Sequence, residues 1–362
     1  MKRHDTSTQQ AYEPIILRLF NIAEKDQYLR LRQDPNIEVF DSIEGQLREL
    51  IKSNHPAIKI ADKDYPEYIS QHLGDTPMEE YGVWVYYPWS RRLVHLLDKE
   101  EFVAMRTNRN QYKITKEEQA LLETKKIGVI GLSVGQSIAL TLAMERVCGE
   151  LRLADFDTAE LTNLNRIRTG VHNLGLHKTI IAAREIAEID PYLKVKIYSE
   201  GITDKNIDAF FMEGGKLDVL VEVCDGLDIK ITSRFKAKEL GIPVVMDTND
   251  RGMLDVERFD LEPDRPILHG LAEGLNPENI KGLTNEEKIP IVLKIVDVNK
   301  ISTRLRHSMP EISKTISSWP QLASSVVLGG AITTDVCRRV FLNEFTKSGR
   351  YYIDLDELVS NN

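Results

Sequence analysis

The stretch from Lys126 to Lys178, KIGVIGLSVGQSIALTLAMERVCGELRLADFDTAELTNLNRIRTGVHNLGLHK, limits the possible folds more than any other part of the chain. Ile127 to Ile130 is a short apolar run that stops at Gly131, and a turn of small residues leads into apolar positions at helical spacing, Ile138, Leu142 and Val147. A second apolar run, Leu151 to Ala154, ends in Asp155. Strand, turn, helix, strand predicts a βαβ unit. Its first turn lies at a helix N-terminus, where unpaired amides and the helix dipole favour an anion. Asp155 comes about 24 residues after Gly131, near the spacing of roughly 20 for a carboxylate that accepts from ribose hydroxyls. The glycine pattern is irregular: Gly131 fits the first glycine of G-x-G-x-x-G, Ser133 replaces the second, and Gly135 with Gln136 stands where the motif ends. Alone, such a turn suits a nucleotide or a plain structural role equally.

The alternation continues downstream. Lys178 to Ile189 reads as helix, Lys194 to Tyr198 as strand, Lys205 to Met212 as helix, Val219 to Val223 as buried strand, Ile229 to Leu240 as helix and Val244 to Asp247 as strand. Upstream, Lys116 to Leu122 is a helix leading into the first strand. This predicts an α/β fold with a doubly wound, mostly parallel sheet, whose ligands bind beyond the carboxyl ends of the strands. Gly131, Asp155 and Asp225 occupy such ends. Met253 to Asp260 suggests an antiparallel C-terminal extension, Leu275 to Pro290 a polar loop, and Ile291 to Val298 a strand or a helix. Pro320 to Phe341 is a long helix rich in small residues, fit for close packing.

The first hundred residues form an α+β accessory region. Residues 1 to about 12 are polar and expected to be disordered. Two amphipathic helices are expected between Pro14 and Ser53, one carrying Ile16, Leu17, Leu19, Phe20 and Ile22, the other Ile43, Leu47, Leu50 and Ile51. Gly82 to Tyr87 and Leu93 to Leu97 read as strands around a turn, with Trp84 expected in the core.

Several further motifs stand in order. Asp155-Phe156-Asp157 is followed by Thr162-Asn163-Leu164-Asn165-Arg166, then Gly175 to Lys178, then Asp225 at a strand end; Arg106 to Gln111 precedes the first strand. The set resembles the ubiquitin-activating, E1-like family that includes the ThiF and MoeB adenylyltransferases, with its D-x-D, S/T-N-L-x-R, G-x-x-K and later aspartate. The resemblance covers about residues 106–258 well and the C-terminal part loosely. It implies a Rossmann-like adenylation domain over 106–362 behind an accessory region, 1–105.

It also implies an activity, in which ATP activates a C-terminal carboxylate of a ubiquitin-like or sulfur-carrier protein, or of another peptide, as an acyl-adenylate. Gly131, Ser133 and Gly135 would form the phosphate turn, Asp155 would hold the ribose, and Asn163, Arg166 and Lys178 would contact the phosphates. Asp225 would hold Mg²⁺, and Arg109 would reach the nucleotide of the opposite protomer in a homodimer. Each residue has an ordinary alternative. Asp155 and Asp157 read equally as loop acids, Arg166 and Lys178 as surface cations, Asn163 as a turn cap, and Asp225 as the N-cap of the next helix.

Composition narrows the remaining classes. With 362 residues, 42% hydrophobic and a formal net charge of −9, the chain has material for a substantial core but no basic block for bulk nucleic acid. No run reaches the ~18 apolar residues of a membrane span, and MKRHDTSTQQ lacks the apolar core of a signal peptide, so a cytoplasmic protein is expected. Cys148, Cys224 and Cys337 form no C-x-x-C pair and none falls between Gly252 and Ile291, where the family would place a transfer cysteine. Adenylation without a thioester on this chain is therefore the expectation. The eight histidines show no metal-ligand spacing. A nicotinamide-dependent oxidoreductase also suits the βαβ turn and Asp155, but it has no use for Arg166, Lys178 and Asp225; a binding module without turnover is the third reading.

Overall fold

The computed structural model describes residues 10–360. The polar stretch at 1–9 lies outside them. The chain divides into two units, Met1–Lys116 with Ala187–Tyr192, and Glu117–Ile186 with Leu193–Asn362. No helix among the described residues is long and apolar enough to cross a membrane.

The first unit is built on a four-stranded sheet of β1 (Ile15–Leu17), β2 (Glu38–Asp41), β3 (Val83–Tyr87) and β4 (Arg92–Leu96), in the order β1-β3-β4-β2. Its helices are α1 (Ile22–Gln33), α2 (Ile43–Asn54), α3 (Tyr65–Leu73) and α4 (Lys99–Arg106). The expected first helix is corrected here. Ile15 to Leu17 pair antiparallel with Tyr86 to Trp84, and α1 begins only at Ile22, where the Asn21 side chain accepts from the Ala23 amide. Three consecutive apolar residues satisfy a strand as readily as a helix face, and pairing with β3 decides it. Trp84 is core, 1% exposed, stacked on His95 across the strand pair at 4.2 Å.

In the second unit a helix, α5 (Lys116–Glu123), precedes β5 (Lys126–Ile130), α6 (Gly135–Glu145) and β6 (Glu150–Ala154). Then come α7 (Lys178–Ile189), β7 (Lys194–Tyr198), α8 (Ile207–Met212), β8 (Val219–Glu222), α9 (Leu227–Glu239) and β9 (Val244–Asp247). The sheet closes with β10 (Met253–Glu257) and β11 (Gly349–Tyr352), in the order β11-β10-β9-β8-β5-β6-β7. Pairs from β7 to β9 are parallel, while β10 and β11 are antiparallel, as the sequence led us to expect. Strand order reverses between β5 and β8, so a crevice opens beyond their carboxyl ends.

Between β10 and β11 lie α10 (Asn285–Ile295), α11 (Thr303–Ser308) and α12 (Ala323–Phe341). The expected loop from Leu275 to Pro290 is thus corrected, because a capping box between Thr284 and Glu287 starts α10 and carries it through Pro290. Helix α12 lies close on its neighbours: a Cβ on Gly330 would meet Ser137 Oγ at 2.6 Å, and one on Gly329 would meet Asp247 Oδ2 at 2.0 Å.

Candidate active site

Gly131 leaves β5 at φ +91°, and a Cβ there would lie 2.8 Å from both the Cα and the N of Cys224. Only glycine suits that approach. The next amide, of Leu132, donates to Asp155 Oδ2 at 2.6 Å, and the Asp157 amide donates to Asp155 Oδ1 at 2.8 Å. Asp155 is therefore no loose loop acid but the clasp between the β5 and β6 turns. Burial raises its pKa from the ordinary carboxylate value, opposed by the Lys178 charge and the two amides. An ionised carboxylate accepts at about four positions, so capacity remains for hydroxyl donors. Helix α6 begins at Gly135 behind Val134, which gives no side-chain cap to its first amides.

The segment after β6 supplies the cations. A short 3-10 turn, Leu161–Asn165, is closed by a capping box in which Asn163 Oδ1 accepts from the Glu160 amide at 3.1 Å. Asn163 thus does cap its turn, and it holds Arg166 at the turn's end. Arg166 Nε donates to Ser133 Oγ at 3.0 Å, reaching back to the first turn. Burial lowers its pKa while the nearby Asp225 charge opposes that shift. Lys178, only 6% exposed, opens α7 and donates to Asp157 Oδ2 at 2.7 Å. It is not a surface cation.

Asp225 follows β8 and is exposed. The N-cap of α9 is Gly226, without a side-chain bond, so the capping alternative for Asp225 is corrected. Sequence reasoning passed over the group beneath it. Glu222 and Arg234 are fully buried and paired with each other, Lys230 Nζ donates to Glu222 Oε2 at 2.7 Å, and the Cys224 amide donates to Glu222 Oε1 at 2.9 Å. Against burial, which raises it, Lys230 and Arg234 hold the Glu222 pKa down at about 2. The signal was present: a glutamate inside the apolar run VLVEV needs cations, and Lys230 and Arg234 stand four residues apart on the next helix.

Beside Asp225 opens a cavity of about 610 Å³, which also reaches Val134 and Cys224. Gly131, Asp155, Arg166 and Lys178 are not on its wall. Asp247, at the end of β9, lines it and is 3% exposed; burial pushes its pKa up to about 7. Among the described residues no three His, Cys, Asp or Glu side chains converge as a metal site.

Arg109 belongs to the other unit, exposed in the turn Asn108–Asn110. Cys148 and Cys337 are fully buried, and burial raises the pKa of all three thiols, that of Cys337 to about 12. Such thiols are poor nucleophiles.

Residues 106–296 match the ThiF family. An uncharacterized protein of Mycobacterium tuberculosis is 44% identical over 329 residues, 90% of this chain and 43% of that protein, so the chain spans less than half the length of that relative. The tRNA threonylcarbamoyladenosine dehydratase of Bacillus subtilis is 25% identical over 247 residues, 64% of this chain and 95% of its own length. Among solved structures, the E. coli tRNA N6-threonylcarbamoyladenosine dehydratase in complex with AMP superposes with a TM-score of 0.49 and 16% identity, covering 69% of this chain and 98% of that one.

Proposed function

The chain belongs to the ThiF family, and from that premise we propose that it is an ATP-dependent adenylyltransferase that activates a carboxylate as an acyl-adenylate. What supports this most is the hydrogen-bonded chain Leu132–Asp155–Asp157–Lys178, with Arg166 on Ser133, at the strand ends where the sheet order reverses. It offers a glycine turn, uncapped helix amides and two cations to a phosphate chain, and a carboxylate to a ribose.

In this reading Gly131, Ser133 and Gly135 shape the phosphate turn, Asp155 accepts from the ribose hydroxyls, and Asn163 orients Arg166. Arg166 and Lys178 neutralise the phosphates, so that the substrate carboxylate can attack the α-phosphorus and pyrophosphate can leave. Asp225 suits Mg²⁺, a hard cation that takes one or two carboxylates together with nucleotide oxygens. When bound, the ion would supply charge neutralisation to the departing pyrophosphate. The acyl donor is the terminus of a ubiquitin-like or sulfur-carrier protein, a peptide, or a smaller acid. The setting is cytoplasmic, residues 106–362 carry the adenylation domain, with 106–116 folded into the first compact unit, 1–105 are the accessory region, and no cysteine carries the acyl group.

Calorimetric titration should show ATP binding with Mg²⁺ and no NAD binding; tight NAD binding without ATP binding overturns the proposal. Asp225→Ala should lower ATP–pyrophosphate exchange by roughly 10²–10³ with an unchanged melting temperature. Exchange at the wild-type rate would remove Asp225 from the site. Arg109 acts in trans in a homodimer, and mixing Arg109→Ala with Asp225→Ala chains tests it: regained exchange supports that role, and continued inactivity after proven subunit exchange refutes it.

A further inference from the structure

The 610 Å³ cavity begins where the phosphate residues end. Val134 at the head of α6 and Asp225 after β8 lie on its wall, and from that border it runs beneath α10, α11 and α12. Its volume falls within the ~300–1,000 Å³ of pockets that enclose small molecules. Leu227, Val292, Val296, Leu305 and Leu328 turn apolar side chains onto it. Of the charged side chains deeper on the wall, Lys230 is matched with Glu222 and Arg251 with Asp354, while the buried Asp247 Oδ2 has no hydrogen-bond partner. An anionic substrate body would find Lys230 and Arg251 already paired, and a tail without side chains would leave the apolar wall against water.

We propose that this cavity receives the acyl half of the reaction and that the substrate is a carboxylate on a bulky aliphatic body, a leucine side chain in size or larger, in place of a diglycine tail. This rests on the adenylation reading. The carboxylate lies at the Asp225 border and the aliphatic body under α10 and α12. In the step, a carboxylate oxygen forms a bond to the α-phosphorus and the α-phosphorus to bridging-oxygen bond breaks. Pyrophosphate departs with that electron pair, and no proton moves.

Calorimetry on the full chain, with an α,β-methylene ATP analogue present, tests the assignment using three probes: 4-methylpentanoate, N-acetylleucine and N-acetylglycylglycine. The two aliphatic acids should bind at least roughly tenfold more tightly than the diglycine compound. Val292→Trp and Leu328→Trp, which fill the cavity from two different helices, should each remove that preference while leaving ATP affinity unchanged. Circular dichroism identifies a variant that fails to fold, and the other variant then decides. Equal or tighter binding of N-acetylglycylglycine overturns the proposal, as does a folded, filled variant that keeps the preference. If ATP binds and neither aliphatic acid does, the pocket assignment falls and the reaction stands. If the aliphatic acids bind and lose affinity in the filled variants but ATP does not bind, the pocket stands and the reaction falls.

Discussion

The two flanks of the crevice carry ion pairs of similar chemistry in opposite settings. On the β5–β6 flank, Lys178 meets Asp157, whose side chain is 51% exposed, and Arg166 rests on a serine hydroxyl. On the β8–β9 flank, Glu222 and Arg234 have no exposure at all, and Arg234 also donates to the buried Glu257 at 2.7 Å. The buried set spends its charges on one another and fixes the loop that carries Asp225. The half-exposed set keeps its charges within reach of something arriving from solvent. Similar ion pairs therefore do different work, and the exposure of the carboxylate separates them.

The sharpest way to break this contrast is Glu222→Gln. Leaving Lys230 and Arg234 short of a buried counter-charge should cost about 3–5 kcal/mol, read as a lower urea midpoint. The pH profile carries a second readout. Because the folded Glu222 pKa, about 2, lies below its ordinary 4.5, the wild type has this stabilisation above pH 4.5 and loses it as pH falls toward 2. The Gln variant should lack that part of the acid loss. If wild type and variant lose stability in parallel there, the network is not what holds the loop.

Gly131→Ala should come next, at about 1–3 kcal/mol, since a side chain at φ +91° is strained and the Cys224 backbone blocks its Cβ. ATP affinity should fall with it. An alanine variant of wild-type stability would mean that the turn relaxes.

The smallest effect belongs to Asp157→Ala, under about 1 kcal/mol in stability, because an exposed partner yields little. A drop comparable to that of Glu222→Gln would erase the distinction between the flanks.

Much of the β5–β6 flank was legible in the sequence because its residues lie within one stretch and one hydrogen-bonded chain, from Gly131 to Lys178. Lys178–Ile189 and Lys194–Tyr198 begin and end where their apolar periods do. The cavity flank was not legible. Its wall is assembled from α10 and α11, where Pro290 and many polar residues mask the helix period, and from α12, far along the chain. β1 was missed for a related reason, since three residues carry no period and only Tyr86 to Trp84, seventy residues away, define them as a strand. Local pattern reports local structure, and cavities are made by distant segments.

The Gly330 contact with Ser137 has a consequence for how the protein is made. The neighbouring ion pair from Arg338 to Glu145 spans 193 residues. At the ~5–20 residues per second of synthesis, α6 emerges roughly 10–40 s before the helix that covers it. Through that interval a nascent chain already holds the Gly131 turn in sequence while the surface around Ser137 lacks the helix that packs on it.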